Sequence, residues 1–261
     1  MRLLFFRHGD PDYTVDGLTA KGNIEAELLA ERIDSFNIDD TFVSPLGRAR
    51  ATAEYSLKKL GKEATVCDWL QEFPALFDPN TADDNTRKAY PNELRLNDAT
   101  GEYEKRIVWD VMPSYYMEHP EIFDAKAWRE SELVKHTNMV EVYDHVTKSF
   151  DKLLLEYGYE KNGIVFKVHE NNEKVLAFFC HFGITSVLLS HLWGVSPFVT
   201  MQFLAMAPTS LTELVTEERE KGIAIFRTLR IGDITHLTMG NEPPAFSARF
   251  CERYENKDER H

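Results

Sequence analysis

The sequence predicts an α/β fold built on a mainly parallel sheet, and three observations carry that reading. Short, continuously apolar runs alternate with amphipathic stretches through the first half of the chain, the pattern of strand–helix–strand units. The first run, Leu3-Leu4-Phe5-Phe6, shows no polar alternation, as a strand buried on both faces requires. The runs also stop at residues of unusual chemistry: Arg7-His8-Gly9 after the first, Ser44-Pro45 after the second, His181-Phe182-Gly183 after a later one. In open parallel sheets, ligands bind outside the carboxyl ends of the strands.

Taken in order, Thr19 is placed to cap a helix from Ala20 to Ile33, with Ala26, Leu28, Leu29 and Ile33 facing inward and Glu25, Glu27 and Glu31 outward. Asp40–Val43 reads as a second strand. Ser44-Pro45 then opens a helix with Pro45 at its first position, where a missing N–H is harmless, and Gly61 closes it. Ala64–Cys67 reads as a third strand, leading into Trp69-Leu70-Gln71-Glu72. From about 74 to 133 the chain turns polar and irregular, with aromatic residues Trp109, Tyr115, Tyr116 and Trp128 between acidic stretches. It reads as a long insertion of short helices without a core of its own. Helical spacing resumes from Val134 to Tyr157. Val165–Val168 and Val175–Cys180 flank Glu170-Asn171-Asn172-Glu173 and read as a hairpin. Helices are expected from Ile184 to Trp193 and after Pro197, and strands at Ser210–Thr216 and Ile223–Leu229. The charged tail from about 247 reads as mobile.

Composition narrows the function. The 261 residues carry 43 acidic and 30 basic side chains, a formal net charge of −13. That balance argues against nucleic acid and anionic membrane as partners, since both need faces rich in lysine and arginine. A phosphate site would have to be locally basic against the global field. Three scattered cysteines, Cys67, Cys180 and Cys251, build neither a disulfide framework nor a zinc ribbon. Their odd count suits reduced thiols. The N-terminal apolar run is too short for a signal peptide, and no segment approaches a membrane span. The expectation is a soluble cytoplasmic protein, with a homo-oligomer left open.

If the three strand ends are neighbours, Arg7, His8, Arg48 and His181 converge in one cleft. Paired guanidiniums fork onto anionic oxygens, and the helix N-termini after Pro45 and Gly183 add backbone N–H groups. A histidine there could ligate a metal, act as a general base, or attack phosphorus as a nucleophile. Metal ligation runs against the flanking arginines, and no carboxylate stands at ligand spacing in the sequence. Each element also has a plain reading: a chance tripeptide, a capping arginine, a core histidine.

Leu4-Phe5-Phe6-Arg7-His8-Gly9 resembles the signature of the histidine phosphatase superfamily, the phosphoglycerate-mutase-like proteins. Leu18-Thr19-Ala20-Lys21-Gly22 is similar to the family's first-helix start, and Ser44–Ala53 to its Ser-x-Leu-x-Arg-Ala-x-x-Thr-Ala segment. His181-Phe182-Gly183 resembles its second histidine motif. The likeness spans residues 1–73 and about 164–230. It implies a single domain over 1–261, a three-layer α/β/α sandwich with a mainly parallel sheet; the 74–133 insertion, with Trp109, Tyr115, Tyr116 and Trp128, reads either as a lid or cap that selects the substrate or as a satellite hydrophobic cluster under a long loop. The likeness implies that His8 is the nucleophile, that Arg7, Arg48 and His181 complete the phosphate pocket, and that Glu72 is the acid. Thr14 stands where many members have a phosphate-binding asparagine, and Phe182 replaces a residue that is usually small. No metal and no cofactor are implied.

Within the family, mutases carry an Arg-His-Gly-Glu-Ser run followed by Trp-Asn; here the run is Arg7-His8-Gly9-Asp10-Pro11-Asp12-Tyr13-Thr14. The implied activity is therefore hydrolysis of a small phosphorylated metabolite through a phosphohistidine. The alternatives are a phosphoglycerate-type phosphomutase and a non-catalytic phospho-ligand binding module.

Overall fold

A computed structural model describes residues 1–90, 94–245 and 255. The expected mobile tail lies outside the described residues, Glu255 apart. In chain order the strands are β1 (Arg2–Arg7), β2 (Pro11–Asp12), β3 (Gly17–Leu18), β4 (Asp40–Val43), β5 (Thr65–Val66), β6 (Leu76–Phe77), β7 (Arg106–Ile107), β8 (Tyr159–Asn162), β9 (Val165–Val168), β10 (Val175–Cys180), β11 (Leu211–Glu220) and β12 (Ile223–Asp233). The α-helices are α1 (Ala20–Arg32), α2 (Gly47–Leu60), α3 (Asp84–Arg87), α4 (Pro113–Glu118), α5 (Glu132–Lys135), α6 (Met139–Glu156), α7 (Phe182–Trp193), α8 (Pro197–Phe203) and α9 (Thr235–Met239). No helix among the described residues is long and apolar enough to cross a membrane.

The chain divides into two compact units. The first comprises Met1–Glu72, Leu153–Thr185 and Ala205–His261, the second Phe73–Lys152 and Ser186–Leu204. The expected insertion falls within the second.

The first unit holds an eight-stranded sheet in the order β5-β4-β10-β1-β11-β12-β9-β8, with helices on both sides. The four strands from β5 to β1 are parallel; β11, β12, β9 and β8 add antiparallel. On one face Leu4, Phe6, Ala177 and Phe179 meet Leu29, Ile33 and Ala53 in a continuous core. On the other, Phe5 and Phe42 stack on either side of Phe178 at centroid separations of 4.9 and 5.1 Å. Burial of a phenylalanine side chain is worth about 1.5–3 kcal/mol, which explains why these strands tolerate no polar alternation. The register then fixes the site: Arg7 lies opposite Cys180, and Phe179 opposite Val43. The residues that follow, His8, His181 and Ser44, emerge at one edge.

Four local expectations are corrected. The Val165–Val168 and Val175–Cys180 runs do not pair with each other. Strand β9 pairs with β8 and β12, whereas β10 lies between β1 and β4. All six residues of β10 are buried, which suits a central strand; β9 is half-exposed and belongs near the edge. Helix α2 starts at Gly47, because Leu46 is still extended and the Ser44 N–H is still held by the Phe179 carbonyl at 3.0 Å. The helix expected over Val134–Tyr157 splits into α5 and α6, where the Thr137 hydroxyl takes the Met139 N–H at 3.0 Å. Glu25, expected to face solvent, is buried.

Within the second unit β6 and β7 form a short ribbon. Phe77, Tyr90, Tyr115 and Trp128 are buried; Trp109 and Tyr116 are half-buried. The Arg129 guanidinium lies over the rings of Trp128 and Tyr143 at 4.9 and 5.2 Å.

Candidate active site

The loop after β1 is held by its backbone. The His8 N–H donates to the Cys180 carbonyl at 3.0 Å, and the His8 carbonyl accepts the Thr209 N–H at 3.1 Å. The Gly9 N–H donates to the Thr52 hydroxyl at 2.9 Å and the Asp10 N–H to the Glu25 carboxylate at 2.8 Å. A side chain at Gly9 would put Cβ 2.7 Å from the Gly22 carbonyl oxygen, and one at Gly22 would meet the Asp10 carbonyl oxygen at 2.2 Å. Two motif glycines are thus required by one close approach of α1 to the histidine loop.

His8 is almost wholly buried. Its Nδ1 lies 2.7 Å from the Gly9 carbonyl. A carbonyl only accepts, so Nδ1 carries the proton and Nε2 keeps its lone pair. Burial first, then the Arg7 charge, push the His8 pKa well below 6.5; the Gly9 bond opposes them, and the Arg48 charge adds a smaller push downward. The His181 ring lies 5.0 Å away, centroid to centroid, tilted by 58°. Burial, then His8, Arg48 and Arg7, depress its pKa in the same way. His181 Nε2 lies 2.7 Å from the Ser44 hydroxyl, which itself accepts the Leu46 N–H at 3.2 Å. Ser44 can then give its own proton to Nε2, which leaves the His181 proton on Nδ1.

Arg7 donates from Nη1 to the Met206 carbonyl, and burial lowers its pKa. Arg48, in the first turn of α2, donates from Nη1 to Asp16 at 2.6 Å. Among the described residues, Arg7 Nε, Arg48 Nε and His181 Nδ1 are buried without a hydrogen-bond partner. Glu72 accepts the Gly183 and Ile184 N–H groups on Oε1, at 2.9 and 3.3 Å. It is thereby fixed at the N-terminus of α7.

Ligand atoms of His8, Glu72 and His181 all lie within 4.8 Å of one another. The expectation that no carboxylate stands at ligand spacing is overturned, since the fold brings Glu72 across from a distant segment. Two imidazoles and a carboxylate are a donor set a transition metal can use. Arg7 and Arg48 oppose it, because the charges that depress both histidine pKa values also repel a cation.

Arg7, His8, Arg48, Glu72 and His181 are therefore brought together, and Phe182 stands beside them as the buried first residue of α7. Thr14 is not brought in: it sits at an exposed turn, with its N–H and hydroxyl on Asp12 at 2.9 and 2.6 Å. From that loop Asp16 reaches Arg48 instead, and the Tyr13 ring lies 5.5 Å from the Arg48 guanidinium carbon. Sequence reasoning missed Asp16, the partner role of Ser44, and Glu25. The one available signal for Asp16 was the Asp16-Gly17 turn pair.

A family model described as histidine phosphatase superfamily (branch 1) matches residues 3–106. No curated protein matches the chain. Among solved structures, the chain is similar to a variant phosphoserine phosphatase from Entamoeba histolytica in complex with phosphoserine. That match has 18% identity and a TM-score of 0.51, over 90% of this chain and 98% of that one. Mycobacterial glucosyl-3-phosphoglycerate phosphatase with inorganic phosphate matches at 17% identity and TM-score 0.54, over 90% and 98% of the two chains. The α-ribazole phosphatase of Shigella flexneri matches at 19% and 0.51, over 90% and 97%. Likeness at these identities establishes the shared fold.

Proposed function

We propose, from the histidine phosphatase superfamily model that matches residues 3–106 and from the geometry of the site, that the chain hydrolyses phosphomonoesters of small metabolites through a phosphohistidine formed on His8, without a metal. One observation carries the reading. Among the described residues, three buried N–H donors, on Arg7, Arg48 and His181, have no partner, beside an imidazole whose hydrogen bond is made by Nδ1, leaving the Nε2 lone pair for chemistry. Most buried donors in folded proteins are satisfied, and a phosphoryl group offers the oxygens these three lack.

In the proposed reaction, His8 Nε2 attacks phosphorus and the ester P–O bond breaks. Glu72 gives its proton to the leaving oxygen. The guanidiniums and the His181 Nδ1–H hold the phosphoryl oxygens as charge spreads over them. Water then attacks phosphorus while Glu72 takes its proton, the P–N bond breaks, and inorganic phosphate leaves. Phosphoserine, glucosyl-3-phosphoglycerate and α-ribazole phosphate, named for the similar structures, support a small phosphorylated metabolite as the substrate class. The acidic balance favours no nucleic-acid partner, and the free Cys67 and Cys180 thiols suit a cytoplasmic setting.

The test is turnover of p-nitrophenyl phosphate, with acid-labile phosphate trapped on the protein. Wild type is expected to turn over and to carry the label; His8→Ala is expected to do neither. Label that persists in His8→Ala would overturn the reading.

A further inference from the structure

Next to the His8 loop, the chain passes through a residue in a conformation its side chain disfavours. Thr209 has φ 57°, the left-handed region, where a branched Cβ crowds its own backbone. It is wholly buried. Strain of this kind persists only where the surroundings over-determine it.

The surroundings are specific. The Thr209 N–H donates to the His8 carbonyl at 3.1 Å. Its hydroxyl donates to the Pro208 carbonyl at 2.7 Å, and the same oxygen lies 2.8 Å from Nε2 of His236, in α9. A hydroxyl has one proton. With that proton on Pro208, His236 Nε2 is the donor. The same short segment holds the neighbouring arginine, since Met206 accepts from Arg7 Nη1 and Ser210 accepts the Arg7 N–H at 3.1 Å. The His8 ring, in turn, is tethered by Nδ1 to its own chain, at the Gly9 carbonyl. Ring direction therefore follows the His8–Gly9 backbone, and Thr209 is one of its three pins, holding the His8 carbonyl while the Cys180 carbonyl and the Thr52 hydroxyl hold the His8 and Gly9 N–H groups.

We propose that His236 is a positioning residue for His8: by holding the Thr209 hydroxyl it keeps Thr209 left-handed, with its N–H on the His8 carbonyl. The inference rests on the phosphohistidine reading only for the use made of the ring's direction. Burial holds the His236 pKa down to about 4, so the ring is neutral near pH 7 and its donor is unchanged across the working range.

The test uses the full chain labelled with ¹⁵N-histidine, in four variants. His236→Phe and Thr209→Val remove the hydrogen bond and keep the bulk. His236→Gln and Thr209→Ser keep a donor or a hydroxyl. Two readouts are taken: the His8 ring ¹⁵N signals of the free protein, and the single-turnover rate of His8 phosphorylation beside the inhibition constant of inorganic phosphate. The Phe and Val variants are expected to shift the His8 signals and to slow phosphorylation by about tenfold or more, as small misplacements of a reacting atom do. Phosphate affinity, which Arg7, Arg48 and His181 set, is expected to stay within about twofold, a loss of rate without a loss of ground-state binding. The Gln and Ser variants are expected to recover most of both. Unmoved His8 signals, losses that Gln and Ser fail to restore, or phosphate affinity falling in step with the rate would each overturn the proposal. Should His236→Phe fail to fold, Thr209→Val against Thr209→Ser decides alone. A wild type that forms no phosphohistidine would sink the functional reading, while the His8 signals would still decide the positioning claim.

Discussion

The Asp16 carboxylate grips Arg48 and the helix that carries it at once: Oδ1 accepts from Arg48 Nη1 at 2.6 Å, and Oδ2 accepts the Gly47 N–H at 2.6 Å. Leu46, at the N-cap of α2, has no side-chain acceptor to offer, so a residue from the preceding loop does the capping. The approach is so close that a Cβ on Gly47 would stand 2.1 Å from the Asp16 carbonyl oxygen. One arm of the Arg48 fork is thereby oriented, while its Nε has no partner among the described residues.

The first prediction concerns pH and Asp16. Burial works to raise its pKa, and the bonds from Gly47 and Arg48 outweigh it, so the carboxyl sits below its ordinary value of 3.8. A depressed carboxylate contributes stability that is present above its unfolded pKa and is lost as pH falls through the folded one. Asp16→Asn should therefore lower the melting temperature at pH 6, and the gap from wild type should close as pH drops below 3.8. The pair is partly exposed, so the difference will be modest. A gap that stays constant with pH would assign the effect to shape and not to charge.

The second concerns His8. Its pKa lies well below 6.5, and Arg48 is one of the causes. The acid limb of kcat/KM in wild type should accordingly fall below pH 6.5. Arg48→Met removes a repelling charge, so the limb should move up in pH while activity falls. A limb that stays in place in the variant would mean that another group sets it.

The third concerns Ser44, which engages His181 Nε2 at 2.7 Å. With Ser44→Ala, Nε2 loses its partner while Nδ1 already has none among the described residues, so the tautomer is no longer fixed. An unsatisfied buried polar group costs about 1–3 kcal/mol, to be read from urea unfolding. Inorganic phosphate should inhibit more weakly, while Ser44→Thr should restore it. Equal affinity in wild type and Ser44→Ala would show that His181 does not depend on Ser44 for its donor.

The fourth concerns metal. The His8, Glu72 and His181 donors lie within 4.8 Å of one another, but the reaction proposed needs no ion. Prolonged EDTA dialysis should leave p-nitrophenyl phosphate turnover unchanged. Loss of turnover that zinc or manganese restores would instead make the two histidines ligands.

The sequence made this site legible where chemistry sits at the end of an apolar run. Arg7 ends, and His8 and His181 follow, a strand whose continuous apolarity marks it as central, so their convergence could be anticipated before any contact was known. Glu72 was legible only through family resemblance, because nothing local marks one glutamate out of many. What stayed hidden depends on approach through space. Glu25 lies on a helix face that looks polar, yet its carboxylate serves the Asp10 N–H and the Ala245 N–H, the latter 220 residues away. Thr14 was placed by its position in a motif, whereas the Asx turn at Asp12 claims its hydroxyl and leaves Asp16 to reach Arg48. The false hairpin had the same origin in reverse: a good local turn outweighed the burial pattern that separates β9 from β10.

The last prediction separates the two jobs that Glu72 holds. Its Oε1 accepts the Gly183 and Ile184 N–H groups and so caps α7; its proposed chemical job is to deliver a proton to the leaving oxygen. Glutamine keeps an oxygen acceptor of the same reach and loses the proton. Alanine loses both. Loss of a capping acceptor costs about 0.5–2 kcal/mol, so Glu72→Ala should be measurably less stable than Glu72→Gln, which should melt close to wild type. Chemistry should divide differently. Nitrophenolate departs nearly unaided, whereas an alkoxide needs its proton. Single-turnover phosphorylation of His8 in Glu72→Gln should therefore be little slowed with p-nitrophenyl phosphate. With an alkyl phosphate it should be slowed by about 10²–10⁴-fold, the usual range of general acid–base catalysis. Hydrolysis of the phosphoenzyme should slow for both substrates alike, because the intermediate is the same. Single-turnover rates are needed, since a slow second step would mask the leaving-group effect in the steady state. Equal slowing of both substrates in the first step would mean that Glu72 acts by holding the α7 N-terminus, and the proton would then have to come from Asp10 or Asp12.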